Sequence, residues 1–154
     1  MKHYETHFIE YTSASERDNF HPNIHNFCST LPESIAKMEN LIIYGPPGVG
    51  KYTQSLNIIK GFSPSNLKYE KKSLVTANKQ DYLMKISDAH FEVDMSLLGC
   101  NAKLLWHEMY NQIVNIINGR ATKMGIILCK NMHSINNDLL DIFYSYVQNN
   151  ATNY

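Results

Sequence analysis

The segment from Leu41 to Gln54 reads LIIYGPPGVGKYTQ, and its glycines and lysine stand where a phosphate-binding loop needs them. Gly45, Gly50 and Lys51 fit the spacing G-x-x-x-x-G-K-[ST], with Pro46, Pro47, Gly48 and Val49 between them, except that Tyr52 stands where Ser or Thr belongs. Glycines let the backbone turn so that successive N–H groups face phosphate oxygens, and a following helix adds about half a positive charge at its start. Lys51 would bring a full charge to the β- and γ-phosphates, and Thr53 a hydroxyl to the α-phosphate. The stretch Gly45 to Thr53, with Tyr52 in the metal position, is therefore the candidate nucleotide-binding set, ATP being the expected ligand. The competing reading is a Gly- and Pro-rich turn that matches by chance.

The metal side of this chemistry is damaged. In an intact loop the residue after the lysine gives a hydroxyl to Mg²⁺, which demands short, near-octahedral oxygen contacts. A tyrosine carries its oxygen far from the Cα, so the ion would be left to water, to a shifted Thr53, or to a weak hold. Hydrolysis also needs carboxylates at the end of a neighbouring strand. The natural strand, Gly125 to Leu128, delivers Cys129, Lys130 and Asn131 instead, and Asp138 and Asp141 come only on the next helix. No metal ligand or catalytic residue is assigned. The expectation is nucleotide binding with little or no autonomous hydrolysis.

The elements that must position these residues are legible from periodicity. Leu41 to Tyr44 is an apolar run that reads as a buried strand, and Gly50 to Lys60 continues as a helix ended by Gly61 and Pro64. Before them, Pro22 starts a helix over His21 to Thr30 with Ile24, Phe27, Cys28 and Leu31 on one side. Short β-prone runs follow at Leu67 to Tyr69, Leu74 to Thr76, Tyr82 to Ile86 and Phe91 to Asp94, parted by turns at Asn78 to Asp81 and Ser87 to His90. Leu105, Met109, Ile113, Ile116 and Ile117 make one apolar face of a helix from Ala102 to Asn118, ended by Gly119. Met124 to Cys129 reads as a covered parallel strand. Asn136 or Asn137 then caps a last helix with Leu139, Leu140, Phe143, Tyr144 and Val147 as its buried stripe. Alternating strands and helices give an α/β sandwich.

Composition sets the outer limits. A chain of 154 residues is one domain by length, residues 1–20 forming an N-terminal arm and 21–154 the nucleotide-binding unit. Zero net charge gives no global field for nucleic acid, and the lysines between Lys60 and Lys85 read as a solvated hairpin surface. Cys28, Cys100 and Cys129 are odd in number and widely spaced, which suits a reducing compartment better than zinc or disulfide chemistry. The start, MKHYETHFIEY, lacks signal-peptide or transit character, and no apolar run approaches the ~18 residues of a membrane span. An intracellular protein of nucleus or cytoplasm, without a membrane partner, is expected.

From Asn40 to Gln148 the sequence resembles the first domain of the small subunits of the replication factor C clamp loader, a branch of the AAA+ ATPases. ENLIIYGPPGVGKYT is similar to that family's Walker A strand and loop. SLVTANKQDYLMKISDAHFEVDMSLLG resembles its β-hairpin insertion, with Phe91, Glu92, Val93, Ser96 and Gly99 on the pattern, KLLWHEMYNQIVNII its long helix, and MGIILCKNMHSINNDLLDIFYSYVQ its Walker B strand and helix. The resemblance implies an AAA+ P-loop NTPase fold, a three-layer sandwich with a parallel central sheet and a hairpin insertion. It places Lys130 and Asn131 on the family's acidic pair. It further implies ATP with weakly held Mg²⁺, and other clamp-loader subunits, a sliding clamp and primer-template DNA as partners in DNA replication. Sensor 1, the Ser-Arg-Cys finger, the lid and the collar would follow Tyr154, and the tyrosine-arginine-proline element of the adenine pocket has no counterpart before His21. The abundant asparagine would suit a large DNA virus or an AT-rich protist, the former placing the protein at a viral replication site.

Two rival functions remain at this level. GPPGVGKYTQ differs by one residue from the adenylate-kinase loop GPPGxGKGTQ, but Arg17 and Arg120 are the only arginines, too few for the clamps of phosphoryl transfer. The other is an interaction module with a vestigial P-loop whose metal site Tyr52 fills.

Overall fold

The computed structural model describes residues 6–149. Its sheet has four strands in sequence order, β1 Lys71–Ala77, β2 Gln80–Ile86, β3 His90–Asp94 and β4 Ile126–Lys130. β1 and β3 each pair antiparallel with β2, and β4 lies parallel to β3 with Glu92 opposite Leu128 and Asp94 opposite Lys130. Among the described residues five α-helices accompany it: α1 Phe8–Arg17, α2 Pro22–Cys28, α3 Lys51–Lys60, α4 Ala102–Asn118 and α5 Asn137–Asn149.

The β1–β2 hairpin follows directly from its residues. Asn78 and Lys79 both take left-handed φ, 47° and 62°, which gives the two-residue turn whose twist matches its strands. Alternation then sends Val75, Ala77, Tyr82, Met84 and Ile86 into the core, while Leu74 and Leu83 face solvent. The opposing layer is α4, whose Leu105, Trp106, Met109 and Ile113 are buried against that face. Trp106 is a core residue. On the other side of β3 and β4, a second cluster joins Phe8 of α1, Leu56 and Ile59 of α3, Leu67 and Ala89. Gly125 admits the close entry into β4, since a Cβ there would lie 3.1 Å from the Phe91 ring.

Several expectations need correction. The sheet is mixed, with a single parallel pair, and not a parallel central sheet. Leu41 to Tyr44 is not a strand of it: Ile42 and Tyr44 are 90% and 91% exposed, because among the described residues no strand lies beside the segment to complete its ladder. Leu67 to Tyr69 is not a strand either, since Asn66 and Leu67 take left-handed φ and Leu67 drops into the core from a turn. Helix α2 is shorter than His21 to Thr30 and buries none of its side chains fully, Phe27 being exposed. On α5 the inward face is Leu139, Ile142, Phe143 and Tyr146, whereas Leu140 and Tyr144 point outward. Asn136 is the cap, its side chain accepting from the Asp138 N–H at 2.9 Å.

The N-terminal segment contributes a packed helix. Phe8 is fully buried, its ring 4.9 Å from that of His90 and within 5.4 Å of the Lys85 ammonium. Asn57 of α3 donates to Ser15 at 2.7 Å, and Lys60 pairs with Glu16. Truncating such a ring opens a cavity, so Phe8→Ala should lower unfolding free energy by about 3–4 kcal/mol, whereas exposed Phe20→Ala should cost less than about 0.5 kcal/mol. Urea unfolding of the two variants checks this; equal costs would show that α1 is not part of the cooperative unit.

Candidate functional site

The loop Gly45 to Gly50 is solvent-exposed and leads straight into α3. Gly48 and Gly50 hold φ of 79° and 87°, left-handed values that a Cβ would strain, and they let the chain reverse into the helix. Gly50 is the N-cap and offers no side chain, so the first N–H groups of α3 are left for whatever approaches the loop. Lys51 folds back over this concavity and donates to the carbonyls of Gly45 and Pro46 at 2.7 and 2.6 Å. Its ammonium is therefore held at the loop. His21 adds a brace, Nε2 donating to the Val49 carbonyl at 2.7 Å. Beside the brace lies an open cleft of about 520 Å³ lined by Phe20, His21, Val49, Thr53, Ala14 of α1 and Asp18 just past its end, among others.

Tyr52 points away from the loop's open side. Its ring packs edge-on against Tyr11, centroids 4.9 Å apart, and its hydroxyl donates to Glu92 Oε2 at 2.6 Å. The Lys130 ammonium sits 4.1 Å from the centre of the Tyr52 ring and 3.3 Å from Glu92 Oε1. His90, wholly buried, brings Nε2 to 4.0 Å from the same carboxylate, its Nδ1 paired with Ser87 Oγ at 2.6 Å. Three side chains, from α3, β3 and β4, thus close on one carboxylate. Burial would raise the Glu92 carboxyl, but the His90 ring, the Tyr52 hydroxyl and the Lys130 charge outweigh it and hold it below the ordinary carboxylate range. Burial, then the hydrogen bond to Glu92 and its charge, push the Tyr52 phenol far up, so it stays neutral.

One position along, Asn131 takes a left-handed φ of 52° and donates its amide to both oxygens of Asp94, at 3.0 and 3.1 Å. Ser96 also donates to Asp94 Oδ1, through its N–H and hydroxyl. Burial opposes ionisation of Asp94, and the bonds from Ser96 and Asn131 overcome it, leaving its pKa low.

The residues expected from sequence therefore fall into two groups. Gly45 to Lys51 and Thr53 line the loop side, whereas Tyr52, Lys130 and Asn131 meet on the β3 side. Asp138 and Asp141 lie exposed on α5. The carboxylates missing from the end of β4 are found next door on β3, as Glu92 and Asp94. Sequence reasoning placed Glu92 in a pattern without giving it a role. The available signal was an acid between Phe91 and Val93 in a strand buried on both sides, where a charge must be paired. Cys129 is packed in the core, and burial pushes its thiol up to about 12, so it offers no nucleophile.

These donors do not suit Mg²⁺. The two β3 carboxylates already accept from Tyr52, Lys130, Asn131 and Ser96, and the position opposite Asp94 carries an ammonium. Among the described residues no group of His, Cys, Asp or Glu gathers as an ion would require.

No protein-family model matches the sequence. Over 96 residues the chain is 26% identical to Replication factor C subunit 5 of Saccharomyces cerevisiae, a stretch that covers 59% of this chain and 27% of that protein. The likeness supports a distant relationship to replication factor C proteins, and the chain spans about a quarter of that relative's length. No helix among the described residues is long and apolar enough to cross a membrane.

The Glu92 cluster makes a pH-dependent prediction. A carboxyl held below its unfolded value, near 4.5, stabilises fully above that value and loses its contribution as pH falls through the folded pKa. Glu92→Gln should therefore cost about 1–3 kcal/mol at neutral pH, and the gap from wild type should narrow on acidification below about pH 4.5. Urea unfolding of both proteins at neutral and acid pH measures it. A gap independent of pH would mean that Glu92 is not ionised in the cluster.

Proposed function

We propose that this chain is an ATP-binding, clamp-loader-like subunit acting in DNA replication, with little or no hydrolysis of its own. One observation carries the nucleotide part: a glycine-bent loop opens onto the uncapped start of α3 with the Lys51 ammonium folded over it. In this reading Gly45 to Gly50 cradle the phosphates, Lys51 turns from its loop carbonyls to the β- and γ-phosphates, and Thr53 meets the α-phosphate. The cleft between Phe20, His21 and Val49 would then receive the rest of the nucleotide.

Weak hydrolysis follows from the β3 side. A reactive water must be polarised by an unengaged carboxylate, and Glu92 and Asp94 are both engaged by donors. The replication role rests on the likeness to Replication factor C subunit 5, supported by the hairpin and the long α4 helix packed on it. Partners in this reading are other clamp-loader subunits, a sliding clamp and primer-template DNA.

The adenylate-kinase reading loses one of its two arginines. Arg120 donates to the carbonyls of Asp88 and Ser87 at 3.1 and 2.8 Å and lies over the Phe91 ring, so it serves the core instead of a second nucleotide.

A fluorescent ATP analogue should bind the full chain, and Lys51→Ala should weaken it by about tenfold or more. The same preparation should show turnover well below the ~1–100 s⁻¹ of working phosphotransferases. Absence of binding up to millimolar analogue would favour the vestigial interaction module, and ordinary turnover abolished by Lys51→Ala would refute the loss of hydrolysis.

A further inference from the structure

We propose that the Phe20 ring is the shelf on which the base of the bound nucleotide stacks, and that the site therefore takes purine nucleoside triphosphates by the flat face of the base, adenine and guanine alike. The inference rests on the nucleotide-binding reading and adds to it the class of base that the cleft accepts.

The place of the ring comes first. One cleft is lined both by Gly48, Val49, Gly50 and Thr53 and by Asp18 and Phe20. Thr53 is the residue assigned to the α-phosphate, the end of the triphosphate from which ribose and base continue. The nucleoside thus leaves the loop into the cleft that holds Phe20.

Phe20 is 85% exposed, yet the backbone beneath it is held on both sides. Asn19 Oδ1 accepts the His21 N–H at 2.9 Å, which closes a turn around Phe20. His21 Nε2 donates to the Val49 carbonyl at 2.7 Å and so ties that turn to the phosphate loop. Pro22 opens α2 directly afterwards and restricts the backbone of His21. An apolar ring already fixed beside the loop can receive a base with little further ordering.

The edge of the base meets few groups that could read it. Ser15 and Gln54 are buried and accept from Asn57 at 2.7 and 3.5 Å, and His21 is engaged by Val49. Asp18 is the exposed polar side chain of the cleft. A carboxylate accepts only, so it can take the amino group of adenine or the N–H groups of guanine, but it gives nothing to the adenine ring nitrogen that needs a donor. Strong rejection of one base requires polar groups built to pair with the other, whereas stacking on an aromatic face tolerates any base.

Calorimetric titration of the full chain with ATP, GTP and inorganic tripolyphosphate tests this. In the wild-type protein the dissociation constants for ATP and GTP should agree within about threefold. Phe20→Ala should weaken both by about tenfold and leave tripolyphosphate unchanged within about twofold, while Phe20→Trp should restore both nucleotides. Lys51→Ala should weaken all three ligands. Urea unfolding confirms that the variants are folded. ATP binding unchanged by Phe20→Ala, or tripolyphosphate weakened as much as ATP, would overturn the shelf while leaving nucleotide binding intact. GTP weaker than ATP by more than about thirtyfold would overturn the tolerance of base. No binding of either nucleotide to the wild-type chain would overturn the nucleotide reading itself.

Discussion

Everything around the candidate site depends on keeping one buried carboxylate charged. Glu92 stands in a strand whose residues are buried on both faces, where an unpaired anion would cost several kcal/mol. The fold meets that cost with two donors, the phenol of α3 and the ammonium at the end of β4, and with the His90 ring of its own strand lying 4.0 Å away. Those donors also set the geometry. Tyr52 ties the first turn of α3 to the middle of the sheet, and α3 in turn carries the loop. The loop's position is thus fixed from beneath by an ion cluster and from the side by His21.

This explains why Tyr52, Lys130 and Asn131 depart together from the usual phosphate-loop pattern. Each departure supplies a donor to a β3 acid: Tyr52 and Lys130 to Glu92, and Asn131 to Asp94 beside Ser96. Reversing Tyr52 or Lys130 alone would leave Glu92 with one donor fewer, so those two changes are coupled through a shared partner.

What could be read from the sequence was what local pattern determines. The hairpin, with a turn placed within Asn78 to Asp81, α4 to its last residue, β3, β4 and the loop-to-α3 junction all follow from period, caps and glycines. What could not be read was pairing across distance. Leu41 to Tyr44 has the composition of a covered strand, but a ladder needs a neighbour, and composition does not say whether one is present. On α5 the inward stripe holds Ile142 and Tyr146 in place of Leu140 and Tyr144, because an aromatic-rich helix fits two faces equally well until Trp106 chooses one. The site divided in the same way. Loop residues were legible because their spacing is local, while Glu92 and Asp94 reach theirs through Tyr52, Lys130 and Asn131 from remote segments.

The outer edge of β4 carries a further consequence, colloidal in kind. Among the described strands β4 is terminal, paired with β3 only, and its run Ile126-Ile127-Leu128-Cys129 is apolar and half-buried. A row of backbone donors and acceptors along such a run is a template for another chain's strand, and soluble proteins blunt such edges with charge. Here the charge at the end of the edge is Lys130. The ammonium that pairs with Glu92 therefore also stands as gatekeeper against edge-to-edge growth, and the electrostatics of the site and the solubility of the sheet rest on the same side chain.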